Sequence, residues 1–355
     1  MVVRALGVPI GMETKDQVEA DRVRAQWSRA LCDEEPVETV SRGHGEDEVD
    51  GDYGLTTSVT MAALTKTAGT RLNLHAGGVC DDEGRLLVVV GASGTGKTTA
   101  IRLLASRLGY LSDETVSLSL DGPPYTALPH AKPLSVITDP DEPRRKEQLS
   151  PDDLGLLPTP ESATLTRLVL LRRGTPRGLS YEIHELALVP LLEGVVELIP
   201  QTSSLVEIEH PVLFVTELLR SVGGAVVLEY EEIEAHLDDL VQLLTTELDC
   251  DEPATEHKPG GEGGDHPAPG FAARAEWRDA VRVGHDVVVM RDSEVFRLDG
   301  LGAVIWWALD QPRTLDALVE LAEAELGAHE DSRTLVEAAL SSLTDSRLAW
   351  LGSSP

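Results

Sequence analysis

One stretch constrains this chain more than any other: Leu86–Leu108, LLVVVGASGTGKTTAIRLLASRL. Gly91, Gly96, Lys97 and Thr98 stand in the order G-x-x-x-x-G-K-[ST]. Glycines let such a loop wrap tightly, so consecutive backbone N–H groups point at one anionic group. Lys97 brings a positive charge to the β- and γ-phosphates of a nucleotide, and Thr98 offers a hydroxyl to Mg²⁺. The flanks agree with this reading. Leu86 to Val90 is a continuous apolar run, the pattern of a strand buried on both faces. Ile101, Leu104, Ala105 and Leu108 recur at helical spacing, so the loop opens onto a helix N-terminus and its positive dipole end. Strand, loop and helix together predict an α/β domain. Its nucleoside triphosphate is held by Gly91, Ala92, Ser93, Gly94, Thr95, Gly96, Lys97, Thr98 and Thr99.

The remaining composition narrows the class. At 355 residues the chain is long enough for two or three domains. A formal net charge of -31 argues against a nucleic-acid backbone as partner, because that polyanion wants the opposite sign. The acidity is spread along the chain and acts mainly on solubility. Two small basic clusters stand out as local basic sites, Arg144-Arg145-Lys146 and Arg172, Arg173 and Arg177; the first is read as a clamp for triphosphate or an acidic substrate, or as a solvated loop. Cys32, Cys80 and Cys250 lack paired or zinc-ligand spacing, so reduced thiols are expected. No apolar run reaches membrane-spanning length, so no membrane partner is predicted. No basic-then-apolar signal opens the sequence, which predicts a cytoplasmic protein.

Along the chain, residues 1–54 are the least readable: Val18 to Leu31 has helical character, whereas Asp33 to Asp52 is acidic and loop-like. The phosphate-binding domain is assigned to residues 55–248. Further strands are expected at Arg71–His75, around Leu111 to Leu120, at Leu165–Arg172 and at Val226–Tyr230, with Asp121-Gly122 as a hairpin turn. Pro140 to Pro160, rich in Pro and charge, reads as a long loop or lid. Residues 249–276 read as a flexible linker, because eight Pro and Gly residues between Asp249 and Gly270 leave little apolar surface to bury. Residues 277–355 then form a module large enough to fold alone. Its strands are expected at Asp286–Met290 and Glu294–Leu298, and its helices at Gly302–Leu309, Thr314–Leu326 and Ser332–Asp345, with Thr314 as an N-cap.

Chemistry is suggested by three more residues. His75 lies sixteen positions before Gly91, and Asp113 and Glu114 lie twenty-two and twenty-three after it. In a parallel or mixed sheet these strand ends converge over the phosphate loop. One carboxylate there holds Mg²⁺ and a second accepts the proton of an attacking hydroxyl. Alone, a histidine after a strand is more often structural, and an acidic pair is as often a solvated turn. Beside the phosphate loop the three gain weight together.

Leu74-His75-Ala76-Gly77-Gly78-Val79, the GASGTGKTT loop and Leu111-Ser112-Asp113-Glu114-Thr115-Val116 resemble the core of bacterial HPr kinase/phosphorylases. The resemblance covers about fifty residues. It implies a P-loop fold related to phosphoenolpyruvate carboxykinase, with a mixed sheet, ATP and Mg²⁺. It further implies Asp113 as catalytic acid/base with His75 beside it, Lys97 on the phosphates, and Thr98, Asp113 and Glu114 toward the metal. Glu114 replaces the family's second Asp. The family's E-x-R-G-x-G segment has no counterpart; Lys132-Pro133-Leu134-Ser135 and Arg144-Arg145-Lys146-Glu147-Gln148 are the nearest candidates and differ, which puts HPr itself in doubt as substrate.

The last module resembles PqqD-like proteins through Val287-Val288-Val289-Met290, Val295-Phe296-Arg297-Leu298-Asp299, Gly302 to Asp310 and Arg313 to Leu318. That resemblance implies a small winged-helix-like α+β domain that binds the leader of a ribosomal precursor peptide. Ile305, Trp306 and Leu309 are read as its core. The two resemblances together imply a serine kinase that transfers the γ-phosphate of ATP to a protein or precursor peptide. The alternatives are a non-catalytic ATP-binding adaptor and a kinase of small-molecule hydroxyls. Self-association is left open.

Overall fold

The apolar run before the phosphate loop forms the strand Arg85–Val90, in which Leu86 to Val90 are fully buried. The computed structural model describes the whole chain except residues 42–46, 139–144, 175–185, 264–265 and 353–355. Burial on both faces follows from the neighbours. Arg85–Val90 pairs in parallel with Ala163–Arg173 and antiparallel with Ala76–Cys80. Ala163–Arg173 pairs in parallel with Ala225–Tyr230, and Ala76–Cys80 continues antiparallel to Gly109–Ser112. Through Thr126–Leu128 and Val116–Ser119 the ladder reaches Arg71–Leu74, giving the ten-stranded mixed sheet of an α/β fold.

After the loop comes the helix Lys97–Leu104, one turn shorter than the apolar spacing to Leu108 predicts. Ala100, Ile101 and Leu104 bury one face of it against Val79, Leu87 and Val89 of the sheet. Truncating Leu104 to Ala would remove a fully buried side chain and cost about 2–5 kcal/mol.

Contacts divide the chain into two compact units. One comprises 1–189, 200–208 and 218–249; the other comprises 190–199, 209–217 and 250–355. Residues 1–54 thus group with the phosphate-loop unit, and two short segments from within 55–248 group with the last module.

Three loop assignments need correction. The acidic stretch Asp33 to Asp52 contains the strand Glu38–Ser41 and the start of the long helix Glu48–Thr67. Its acidic residues favour that helix start: Asp47 caps it by accepting from the Asp50 N–H at 3.0 Å, and Glu48 and Asp50 complement the helix dipole. Asp52 is buried under a two-pronged Arg22 contact of 2.9 and 3.0 Å. In the stretch read as a lid, Glu147–Leu149 pairs with Leu134–Val136, and Leu156 is buried. Within the expected linker, Thr255–Gly261 is a strand paired to Trp277–Val283. An edge strand draws on main-chain hydrogen bonds more than on apolar side chains, and it tolerates Pro259 because one side needs no donor.

The second unit carries an antiparallel sheet whose order runs Thr255–Gly261, Trp277–Val283, Asp286–Arg291, Glu294–Leu298. Helices Gly300–Ala308, Leu315–Leu326 and Ser332–Asp345 follow, and the Thr314 side chain accepts from the Ala317 N–H at 3.4 Å. Ile305, Trp306 and Leu309 are buried in its core with Val287, Val289 and Leu340. Among the described residues no disulfide joins the three cysteines. No described helix is long and apolar enough to cross a membrane.

Candidate active site

The phosphate loop is shaped by its own backbone. Gly94 and Gly96 take φ values of 85° and 94°, a left-handed conformation that side chains resist. A Cβ on Gly96 would also lie 2.8 Å from the Tyr230 hydroxyl. That hydroxyl donates to the Thr95 carbonyl and holds the turn. Thr95 bends back on Ala92, its side chain donating to the Ala92 carbonyl at 2.8 Å. Lys97 Nζ donates to the Gly91 carbonyl at 2.5 Å. Gly91, Ala92 and Thr95 therefore shape the loop, whereas Ser93, Gly94, Gly96, Lys97, Thr98 and Thr99 line a cavity of about 590 Å³.

The same cavity is lined by His75, Asp113 and Glu114. Register brings them there. Gly78 pairs with Ser112 across the sheet, and the Ala76 N–H donates to the Glu114 carbonyl at 3.0 Å, so His75 faces the acidic turn. Asp113 and Glu114 occupy the turn between Gly109–Ser112 and Val116–Ser119, where the Ser112 hydroxyl accepts from the N–H groups of Glu114 and Thr115 at 3.3 and 3.1 Å. Asp113 is only 3% exposed.

Three neighbours of that turn are given no role at the site by the sequence, Lys132 entering it only within the segment Lys132-Pro133-Leu134-Ser135. Lys132, 1% exposed, places Nζ 3.0 Å from Asp113 Oδ1 and 3.1 Å from Glu114 Oε2. Tyr110 donates its hydroxyl to the same Asp113 oxygen at 3.2 Å. His130, fully buried, meets the Thr60 hydroxyl at 3.1 Å. Burial alone would strip the Lys132 proton, but the two carboxylates reverse that and raise its pKa. Glu114 is also desolvated, yet Lys132 holds its pKa below the usual carboxylate range. Desolvation and the Lys132 charge push His130 down to about 3, so it is neutral at pH 7. Partial desolvation and Lys97 lower His75 too. Lys97 is itself lowered by burial, and among the described residues no carboxylate pairs with it. The signal for Lys132 was a lone lysine in an apolar, Pro-flanked stretch, with no acid near it in sequence.

The donor set suits a nucleotide and its metal. Lys97 rests on carbonyls, an interaction a phosphate oxygen would replace with a charged one. Asp113 uses one oxygen for Lys132 and Tyr110, and its other oxygen has no hydrogen-bond partner among the described residues. Thr98 and Glu114 add oxygens in the same cavity, the hard ligands Mg²⁺ takes. From the two basic clusters, Lys146 and Arg173 line the cavity, and Arg145 pairs with Asp47 at 2.9 Å. Arg172 lies 3.5 Å from Glu229, whereas Arg144 and Arg177 fall outside the described residues.

Comparison with known proteins adds a partial picture. No curated protein matches the chain. The solved structure of an Hpr(Ser) kinase/phosphatase from Coxiella burnetii is similar at 12% identity and a TM-score of 0.30, over 49% of this chain and 87% of that one. Residues 286–349 match the family described as coenzyme PQQ synthesis protein D, so the second unit carries a PqqD domain.

Proposed function

We propose that the chain is an ATP-dependent kinase that phosphorylates a Ser hydroxyl of a protein or precursor peptide, with the PqqD domain recruiting the leader. The observation that carries this reading is the meeting of Asp113, Lys132 and Lys97 in the cavity lined by the phosphate loop. A nucleotide sensor needs the loop without a buried carboxylate whose free oxygen opens on the same space.

In the transfer, Asp113 accepts the acceptor hydroxyl's proton while its oxygen attacks the γ-phosphorus. The new O–P bond forms as the bond to the bridging oxygen breaks, and ADP leaves with that electron pair. Lys97 and the loop N–H groups stabilise charge on the transferring phosphoryl group. Mg²⁺, for which Thr98 and Glu114 would supply oxygens beside Asp113, would neutralise the triphosphate. Lys132 keeps the Asp113 carboxylate in place through the reaction, and afterwards the proton passes to water.

Recruitment rests on a sheet edge. Glu294–Leu298 ends the four-stranded sheet, and no strand among the described residues pairs with its outer side. A leader added there as a further strand raises the local concentration of the tethered acceptor. Removing the leader from a substrate peptide should therefore raise KM at least tenfold and leave kcat nearly unchanged. Equal KM for both peptides would separate the PqqD domain from the reaction.

A further inference from the structure

The second unit holds a group of side chains that the kinase reading does not use. We propose that His210, His257 and Asp279 form a zinc site. One ligand atom from each lies within 4.8 Å of the other two.

Asp279 is the organising residue. It sits in the strand Trp277–Val283 with its side chain fully buried. Its Oδ2 accepts from the N–H groups of Val212 and Leu213, at 2.8 and 3.0 Å, in the first turn of the helix Pro211–Ser221. That orientation turns Oδ1 toward the two imidazoles. His257 Nε2 is 2.7 Å away and His210 Nδ1 is 4.0 Å away. A carboxylate fixed by outer hydrogen bonds in this way is a usual support of a metal site. Among the described residues no Lys or Arg pairs with Asp279, so this buried carboxylate has only imidazoles as side-chain partners.

The histidines come from separate places and converge. His257 lies on Thr255–Gly261, opposite Val281, and therefore diagonal to Asp279 on one sheet face. His210 has a φ of 50°, a left-handed conformation that non-glycine residues seldom adopt. The two rings meet edge to face at 4.7 Å. On its outer side, His210 Nε2 lies 3.7 Å from Glu209. His210 is 41% exposed and His257 21%, so an ion reaches the site from the solvent side of the imidazoles, where water can complete its ligands.

Two imidazoles, one carboxylate and an open position suit zinc, whereas Mg²⁺ prefers an all-oxygen set. Bonds of roughly 2 Å to a tetrahedral ion need small adjustments: His257 and Asp279 part slightly as the proton between them leaves to solvent, and His210 closes in. The ion would tie the chain at His210 to two strands of the sheet, closing a long loop.

The test is a Zn²⁺ titration of the full chain in excess Mg²⁺, beside His257→Ala and His210→Asn, the latter chosen because Asn tolerates left-handed backbone. One equivalent of zinc at micromolar or tighter affinity, weakened at least tenfold in both variants, is expected. No such binding, or unchanged binding in either variant, would overturn the site. A second measurement needs no variant. Zinc should protect His210 and His257 of the unaltered protein from diethyl pyrocarbonate, read by peptide mass spectrometry, and equal modification with and without zinc rejects the proposal.

Discussion

Two buried aspartates, one in each compact unit, answer the same physical problem differently. Asp113 in the phosphate-loop unit is balanced by the Lys132 ammonium at 3.0 Å and keeps one oxygen free beside the cavity. Asp279 in the second unit commits one oxygen to two backbone N–H groups and the other to imidazole. A buried carboxylate needs a compensating partner, and the kind of partner decides what the group can still do. An ammonium leaves Asp113 able to take a proton. Helix N–H groups and imidazoles turn Asp279 into an anchor.

The comparison breaks most visibly at Asp113. Replacing it with Asn should lower kcat by about 10²–10⁴-fold, the usual range for a lost general base, with ATP affinity within a few-fold of the parent. Glu114 still pairs Lys132 in that variant, so the fold should persist. Turnover at the parental rate would remove Asp113 from its role.

Removing the ammonium tests the other half. Lys132→Ala leaves Asp113 and Glu114 without their shared cation and should cost about 3–5 kcal/mol in denaturant unfolding. Adding Asp113→Asn to that variant should recover part of the loss, because one uncompensated charge is gone. An additive double variant would show that the two side chains do not act as a pair.

Asp279→Ala leaves two helix N–H groups and His257 without their acceptor, and should cost about 2–4 kcal/mol. A smaller loss than for Lys132→Ala is expected, since no charge is stranded. The reverse order would mean that the second unit depends more on its aspartate than the first.

The smallest effect concerns pH. His130 titrates at about 3 in the fold, against roughly 6.5 when unfolded, so the unfolded chain binds the extra proton between these values. Its contribution is full above pH 6.5 and falls as pH drops, by about 1.4 kcal/mol per unit. Between pH 6.5 and 5, His130→Gln should therefore lose about 2 kcal/mol less stability than the parent. Parallel pH profiles would show that His130 is not buried neutral beside Lys132.

Legibility followed sequence distance. Gly91 to Thr99 and the flanking strand could be read because one local pattern encodes loop, strand and helix together. His75 and Asp113 were reached through spacing and resemblance, and the sheet register places both at the loop. Lys132 could not be read, because its meaning depends on carboxylates eighteen and nineteen residues away that only the folded hairpins bring close. The strand Thr255–Gly261 was hidden for another reason: its order comes from main-chain pairing with Trp277–Val283, which composition does not record. His210 and Asp279 likewise meet only through tertiary packing.

The most direct test of the central claim is mass spectrometry of a Ser-containing precursor peptide, encoded beside the gene, after incubation with the full chain, ATP and Mg²⁺, with Asp113→Asn in parallel. The account predicts a gain of one phosphate on the peptide, lost in the variant. A peptide that binds the chain but gains no phosphate, or gains it equally with Asp113→Asn, would contradict it.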